Sequence, residues 1–148
     1  MDLHRAELKE QIQIQELQSF LELNNLPFKD IKLNGNFFLA YYDEAGNVVG
    51  SGGIEIYGDA ALLRSVAVRA TERGMSLGKQ IVDDVLQHAR ELKILSVFLL
   101  TETAHDFFLK KGFKDISRDD VPAKVKASSE FSVVCPASAK CMVFAFNL

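Results

Sequence analysis

The segment from Leu62 to Lys93 constrains the fold of this chain more than any other. An apolar, β-branched run over 62–68 leads through a polar turn into Arg73-Gly74-Met75-Ser76-Leu77-Gly78-Lys79, which opens a long amphipathic pattern. A strand, a short glycine-containing loop and a helix N-terminus together make an anion site, because the first N–H groups of a helix lack internal partners and its dipole adds positive charge. We therefore predict that residues 73–79, flanked by two basic side chains, hold a phosphate-bearing cofactor.

Two other interpretations of this loop compete with that prediction. A nucleotide P-loop is rejected, because Gly74-x-x-x-Gly78-Lys79-Gln80 is one residue short and has Gln where Ser or Thr would hold Mg²⁺. An ordinary helix start with Ser76 as its N-cap stays open, because Ser is a favoured capping residue.

Length and charge limit the class of protein. The chain of 148 residues predicts a single domain over 1–148. No apolar stretch is long enough to span a membrane, and the charged N-terminus lacks the apolar core of a signal peptide, so we expect a cytoplasmic protein without a membrane partner. Seventeen basic against twenty acidic residues give a net charge of −3, which disfavours nucleic acid as a partner.

The cysteines and histidines predict neither a disulfide nor a metal site. Cys135 and Cys141 lie six positions apart, and we expect both to be reduced thiols in a cytoplasmic protein. The three histidines are scattered, without a second Cys or His at metal-ligand spacing, so no metal is predicted.

Hydrophobic periodicity predicts an alternation of strands and helices. The segment 3–8 fits either an edge strand or an extension of the first helix. Helices are predicted over 12–24, 76–93 and 104–111, with a helical turn within 121–127 and strands over 37–42, 48–57, 62–68, 96–100, 113–116 and 141–146. The first three strands form an antiparallel meander, and strand, helix, strand over 62–100 gives one right-handed parallel crossover. The predicted class is α/β (α+β), a mixed, mostly antiparallel sheet with helices on both faces.

Two motifs resemble the GNAT superfamily of N-acetyltransferases. Its loop signature, Arg/Gln-x-x-Gly-x-Gly/Ala, is similar to Arg73-Gly74-Met75-Ser76-Leu77-Gly78, and its aromatic helix ending in Gly-Phe is similar to residues 107–113, FFLKKGF. Three further segments resemble the arsenic-resistance branch and the short amino-acid N-acetyltransferases: 58–68, 100–104, and the stretch from Phe131 to Met142 that contains Cys135.

The resemblance implies acetyl-CoA as cosubstrate. It places the pantetheine arm along the backbone of Val66, Ala67 and Val68, and the pyrophosphate on the loop. The implied cofactor set from the loop and the aromatic helix is Arg73, Gly74, Met75, Ser76, Leu77, Gly78, Lys79 and Phe108. Two residues depart from the family pattern: Ser76 replaces a Gly, and Phe108 replaces a Tyr that protonates the leaving thiolate in relatives, so no general acid is assigned.

Charged residues in two otherwise apolar predicted strands indicate where the acceptor substrate binds. Arg64 lies among apolar neighbours, where an unpaired charge is costly. We expect it to bind a substrate carboxylate, with Ser65 beside it and Glu55 across the strands; the alternative is a structural Arg64–Glu55 ion pair. The catalytic Glu of some relatives is Leu62 here, which leaves Glu102 as candidate proton acceptor, and Cys135 is expected to shape the substrate pocket.

These observations predict an acetyl-CoA-dependent N-acetyltransferase acting on a small-molecule amine, an amino acid or a similar compound, with an arsenic-resistance role implied only by the resemblance. Direct attack of the amine on the thioester is expected. A non-catalytic acyl-CoA sensor and a protein N-acetyltransferase are the alternatives, and a homodimer is left open.

Overall fold

A computed structural model describes residues 3–74, 76–134 and 138–146. The strands are β1 (His4–Glu7), β2 (Phe37–Tyr42), β3 (Val48–Tyr57), β4 (Ala60–Val68), β5 (Ser96–Thr101), β6 (Lys114–Asp115) and β7 (Lys140–Ala145). The α-helices are α1 (Gln11–Leu23), α2 (Leu77–Glu91), α3 (His105–Lys110) and α4 (Ala123–Lys126), and a π-helical turn covers Glu130–Val134.

The seven strands form one sheet in the order β1-β2-β3-β4-β5-β7-β6. Every neighbouring pair is antiparallel except β4 with β5, so the predicted meander and the parallel crossover through α2 are confirmed. The segment 3–8, left open by the sequence, contributes the edge strand β1, where Ala6 pairs with Ala40.

Helices cover both faces of the sheet, as predicted, and β2 shows how the two faces divide. Phe37, Leu39 and Tyr41 pack in the cluster that contains the apolar side of α2. Phe38 and Ala40, which alternate with them, pack against α1. This follows from the strand period of two, which sends successive side chains to opposite faces.

Glycines in β3 let α2 approach the sheet closely. A Cβ atom at Gly50 would lie 2.9 Å from the Ile81 side chain, and one at Gly52 would lie 2.6 Å from it. The register of β3 against β4 also shifts between Ser51 and Gly53. Strand β3 therefore combines a close approach to α2 with a bulge against β4.

Some predicted boundaries are wrong. The second helix ends at Glu91 rather than Lys93, and Leu92, which lies within the predicted helix, is 46% exposed because it is the C-cap residue. The strand predicted over 113–116 contains only Lys114 and Asp115, since only those two residues pair with β7. Among the helices of the described residues, none has the length and apolar character to span a membrane.

Candidate functional site

The parallel strands β4 and β5 separate after a short paired stretch. Their pairing joins Ala60 to Ser96 and ends at Leu62 with Phe98, although β4 continues to Val68 and β5 to Thr101. Beyond Leu62, β4 therefore has an edge that no strand pairs with in the described part of the chain. Such an edge can accept an extended ligand through main-chain hydrogen bonds.

A β-bulge lies on this open part of β4. Arg64 pairs with Gly53 and Ala67 with Ser51, so Ser65 and Val66 together face one residue of β3. Ser65 has a φ of 62°, and its carbonyl accepts a 2.7 Å hydrogen bond from the Ser51 hydroxyl. A bulge leaves its extra residue outside the ladder and re-aims the following side chains.

The bulge reverses which residues of β4 face α2. Before it, Ala61 and Leu63 pack in the α2 cluster; after it, Val66 and Val68 do so. Ala67 instead packs with α1. The strand thereby presents Arg64 to the α1 and α4 side of the sheet and Val66 to the opening.

Two cavities of about 480 Å³ each meet in this opening. They share lining residues, so they form one space, which we call the β4–β5 cleft. The outer cavity includes Ala67, Val68 and Gly78, near the start of α2. The inner cavity includes Arg64, Ser65 and Glu130. The shared lining residues are Val66, Arg73, Glu102, Thr103, Ala104 and Phe107.

The loop before α2 presents main-chain N–H groups beside the outer cavity. Ser76 occupies the N-cap position with a φ of 65°, and its side chain makes no capping bond. The first backbone bond of the helix is donated by Gln80 to the Ser76 carbonyl, 3.2 Å long. Within residues 3–74, 76–134 and 138–146, no acceptor meets the N–H groups of Ser76, Leu77 or Gly78. The helix start is therefore not an ordinary Ser-capped one, and its N–H groups are available to an anion.

The left-handed conformation of Ser76 explains its place in the motif. Glycine adopts positive φ at little cost, which suits the Gly found here in the family signature. Ser76 keeps the same backbone conformation without that freedom. Gly74, two positions earlier, also has a positive φ, of 85°. Ser76 therefore holds its left-handed conformation at some conformational cost.

Charged side chains hold this loop in place. Arg69 donates to both Glu72 oxygens at 2.6 and 2.7 Å and to Asp43 at 3.1 Å. Arg73 donates to the Val68 carbonyl and to Asn24, each at 3.1 Å, and lines both cavities.

Two loop residues predicted to bind the cofactor, Lys79 and Met75, do not belong to the described lining of the cleft. Lys79 is exposed and does not belong to the described lining of either cavity, so its role stays a prediction. Met75 lies outside the described residues.

The aromatic residues of α3 close the far wall of the cleft. Phe108 is 7% exposed, packs edge-on against Phe107 and Phe113, and borders the inner cavity. Gly112 ends the helix with a φ of 97°, as the sequence predicted. Phe107, which the sequence analysis did not select, borders both cavities, and its ring would lie 3.6 Å from a Cβ at Gly78.

Arg64 lies at the centre of a buried ionic group, which we call the Arg64 cluster: Arg64, Asp30, Glu55 and Glu130. Arg64 donates to both Asp30 oxygens at 2.6 and 2.9 Å and to Glu55 at 3.0 Å. The Ser65 hydroxyl and the Pro27 carbonyl accept its remaining bonds at 3.2 and 3.4 Å. All five N–H groups of a guanidinium are thus engaged.

The contact between Arg64 and Glu55 expected from the hairpin register is confirmed. Glu55 pairs with Leu62, so it reaches Arg64 diagonally. Binding of a substrate carboxylate by Arg64 stays a prediction, and it would require that carboxylate to replace one of the existing acceptors.

Burial and charge set the protonation of the Arg64 cluster. Burial alone would lower the pKa of Arg64. Hydrogen bonding to Asp30 and the surrounding carboxylate charges outweigh burial, so the pKa of Arg64 lies above its ordinary value. Burial acts to raise the pKa of Asp30, yet its bonds to Arg64 hold that pKa below the ordinary value. For Glu130, burial dominates and, helped by the Glu55 and Asp30 charges, raises the pKa to about 7 despite Arg64.

The other predicted residues lie in different surroundings. Glu102 is exposed at the mouth of the cleft. Ser65 is buried in the bulge and borders the inner cavity. Cys141 is a buried free thiol whose pKa is raised by burial. Cys135 lies outside the described residues.

Asp30 and Glu130 were not predicted from the sequence, and they lie 34 and 66 positions from Arg64 in the chain. Neither residue belongs to a motif or a periodic segment. An unpaired Arg in an apolar strand signals that acidic partners exist, because a buried charge needs them. It does not indicate where in the chain they are.

Comparison with known proteins identifies the family. The model of the acetyltransferase (GNAT) family matches residues 2–113. This chain belongs to that family. The prediction of an acetyltransferase is thereby confirmed at the level of the family. The mixed, mostly antiparallel sheet with helices on both faces agrees with the fold of that family.

A curated relative and two solved structures illustrate the likeness. An amino-acid acetyltransferase of Mycobacterium tuberculosis is 41% identical over 85 residues, which cover 56% of this chain and 48% of that protein. The chain therefore matches about half the length of this relative. Mycobacterium tuberculosis Rv2747 in complex with CoA and NLQ superposes with a TM-score of 0.76, at 25% identity, over 99% of this chain and 100% of that chain.

N-acetylglutamate synthase from Neisseria gonorrhoeae, complexed with coenzyme A and N-acetyl-glutamate, gives a TM-score of 0.78 at 15% identity. The superposition covers 100% of this chain and 36% of the synthase chain. At that identity the likeness concerns the fold.

Proposed function

We propose that this protein transfers an acetyl group from acetyl-CoA to the amine of a small molecule, an amino acid or a similar compound. Family membership supports acetyl transfer, and the amino-acid acetyltransferase relative supports an amino acid as the acceptor. The complexes of Rv2747 and the synthase with coenzyme A support the cosubstrate.

One observation carries the proposal: in the described part of the chain, the unpaired edge of β4 and the unbonded N–H groups at the start of α2 border the same outer cavity. A diphosphate matches those N–H groups and the helix dipole. An extended amide-containing arm matches the main-chain edge of Val66, Ala67 and Val68. Coenzyme A joins these two features in one molecule, which is why it fits the cleft better than a phosphate compound without such an arm.

The chain contributes binding and orientation. Gly78 and Val68 line the outer cavity, where the arm would enter, and Arg73 offers positive charge beside the diphosphate position. Acetyl-CoA supplies an activated thioester. The bulge at Ser65 and Val66 places main-chain groups at the junction of the two cavities, where a donor to the thioester oxygen would stabilise developing negative charge.

The acceptor occupies the inner cavity in this proposal, beside Arg64, Ser65 and Glu130. Its arrival from the inner side suits direct attack on a thioester held along β4. An arsenic-containing amino-acid analogue is included among the proposed acceptors on the strength of the sequence resemblance around 58–68 and 131–142, the second of which contains Cys135.

Release of free thiol from acetyl-CoA, measured with each of the twenty amino acids and with arsenical analogues, tests the proposal. We expect release with at least one small amine, with the acetylated product seen by mass spectrometry. Coenzyme A binding without thiol release from any amine would indicate an acyl-CoA sensor. Activity only on peptides would indicate a protein N-acetyltransferase, and failure to bind coenzyme A would contradict the proposal altogether.

A further inference from the structure

Glu130 differs from the other two carboxylates of the Arg64 cluster in its hydrogen bonding. Asp30 receives two bonds from Arg64. Glu55 receives one from Arg64 and, on its second oxygen, one from the Tyr57 hydroxyl at 2.7 Å. Within the described residues no hydrogen bond reaches the Glu130 carboxylate, whose nearest charge contact is Arg64 Nε at 3.7 Å. Glu130 therefore retains its lone pairs for another partner.

The position of Glu130 makes that partner a ligand of the cleft. The residue is 5% exposed, yet it lines the inner cavity together with Val66, Leu100 and Phe108. Asp30 and Glu55 lie behind Arg64 and are not part of that described lining. Glu130 comes from a π-helical turn, a conformation that is frequent at functional sites.

The charge balance of the cluster favours a positive ligand. One guanidinium faces three carboxylates, so the buried group would carry a net charge of −2 if all were ionised. Burying uncompensated charge is costly. The arrival of an ammonium group, or of a proton, at Glu130 relieves that cost.

On these grounds we propose that Glu130 is a catalytic residue, the group that takes the proton from the ammonium of the acceptor. The inference rests on the function proposed above. An N–H bond of the ammonium breaks, its proton passes to a Glu130 oxygen, and the nitrogen keeps the electron pair. That pair forms the C–N bond to the thioester carbonyl carbon while the C–S bond breaks. The thiolate takes a second proton from the same nitrogen, and Glu130 returns its own proton to solvent.

Glu102 is the competing proton acceptor. It also lines the cleft, but it is exposed, so water solvates its charge. Burial of Glu130 instead brings its pKa to about 7, where a general base is most effective at neutral pH. The charged and titratable groups of the described chain that surround Glu130, in its cluster and around the inner cavity, are Arg64, Asp30, Glu55, Tyr57, Arg73 and Glu102; His105 and Asp106 line only the outer cavity.

A direct titration tests the protonation of Glu130 without any acceptor. Carboxyl ¹³C NMR of glutamate-labelled protein, saturated with coenzyme A, should show a resonance that titrates near pH 7 and is missing in Glu130→Gln. A midpoint below about 5, close to that of an ordinary Glu, would overturn the proposal. This outcome does not depend on which amine the enzyme acetylates.

The pH dependence of kcat/KM tests the proton transfer itself. With acetyl-CoA and the amino acid that gives the fastest thiol release, the wild type should show activity rising through pH 7, because Glu130 must be ionised to accept a proton. Glu130→Gln should lose that rise and at least about 100-fold of the activity at pH 7. Coenzyme A affinity should be kept, and Glu130→Asp should restore part of the rise.

The controls separate this inference from the proposed function. Glu44→Gln, in an exposed turn, should keep the wild-type profile. An unchanged profile in Glu130→Gln, or loss of the rise in Glu102→Gln instead, would overturn the assignment to Glu130. If no amino acid or arsenical analogue releases thiol, the proposed acceptor class fails, and the NMR titration still decides whether Glu130 is poised as a base.

Discussion

The outer and inner ends of the β4–β5 cleft are formed by different kinds of chemical group. At the outer end, one continuous stretch, from the end of β4 to the start of α2, forms the wall that faces residues 102–107 and offers main-chain groups to a ligand. At the inner end, Asp30, Glu55, Arg64 and Glu130 meet from four separate segments. The outer end depends on backbone geometry, and the inner end depends on the pairing of buried charges.

This difference predicts how each end responds to mutation. A side chain at the outer end matters mainly when it fills space or alters the backbone, because the N–H groups belong to every residue type except proline. At the inner end, loss of the Arg64 charge leaves three carboxylates buried without compensation, whereas loss of one carboxylate charge reduces the excess of negative charge. Four variants, taken in order of decreasing effect, test this contrast.

Arg64→Ala should have the largest effect. It leaves Asp30, Glu55 and Glu130 without their shared counter-charge, and removal of one partner from a buried ion pair costs about 3–5 kcal/mol. Urea denaturation should show this loss in the free energy of unfolding at pH 7. Arg73→Ala is the matched control, because Arg73 also lines the cleft but is exposed, and it should cost under about 1 kcal/mol. Equal losses in the free energy of unfolding for the two variants would contradict the dependence of the inner end on the pairing of buried charges.

Glu130→Gln should stabilise the protein in mildly alkaline solution. Burial raises the pKa of Glu130 from 4.5 to about 7, so the folded state takes up a proton and is favoured below pH 4.5, and that stability is lost as pH rises through 7. Glutamine does not ionise, so at pH 8 the variant should unfold with a free energy up to about 3 kcal/mol higher than the wild type.

The advantage of Glu130→Gln should shrink as pH falls from 7 to 4.5. Thermal unfolding across that range measures it, with Glu44→Gln, an exposed carboxylate, as the control that shows no such trend. A wild type that is more stable than Glu130→Gln at pH 8 would mean that the carboxylate is paired rather than strained.

Gly78→Glu should weaken coenzyme A binding by about 10- to 100-fold, equivalent to about 1.4–2.8 kcal/mol. The new carboxylate would enter the outer cavity, where the diphosphate is proposed to lie. A Cβ at this position meets only ordinary contacts with Phe107 and Val68, so the fold should be kept and Gly78→Ala should bind more tightly than Gly78→Glu. Calorimetric titration measures both. Asn34→Glu, the same charge change in an exposed loop, should bind like the wild type, and an unchanged affinity in Gly78→Glu would remove the loop from the site.

Ser76→Gly should give the smallest effect, a gain of about 0.5–1 kcal/mol in stability. Ser76 has a φ of 65°, and an L-residue other than Gly pays about 1–2 kcal/mol for the left-handed conformation, part of which the flexibility of Gly in the unfolded chain offsets. Ser19→Gly in the exposed face of α1 is the control and should instead destabilise by about 0.5–1 kcal/mol. Chemical denaturation measures the change in the free energy of unfolding for both variants. A change of the same sign in the two would contradict the assignment of backbone strain to Ser76.

The same contrast explains what the sequence could predict. Strands β2 and β3 have the predicted bounds because apolar runs end at clear turns, and α2 follows from its apolar stripe. The cofactor loop was predictable because its residues are adjacent in the chain and its function needs only backbone and a helix start. Leu92 was misplaced because periodicity alone does not indicate where a helix stops.

The inner end could not be assembled from the sequence. Arg64 and Glu55 were found because both are charges in apolar strands joined by one hairpin. Asp30 and Glu130 lie in segments without periodicity, and only the packing of α4 and the following turn against β4 brings Glu130 to the cleft. Side chains that meet from distant segments leave no local pattern.

A crystal structure of the protein with acetyl-CoA is the decisive test of the cofactor position in the β4–β5 cleft. It should show the diphosphate within hydrogen-bond distance of the N–H groups of residues 76–78, the pantetheine arm paired along 66–68, and the thioester facing the inner cavity that contains Glu130. Acetyl-CoA bound elsewhere, or a β4 edge that stays unpaired in the complex, would contradict the account.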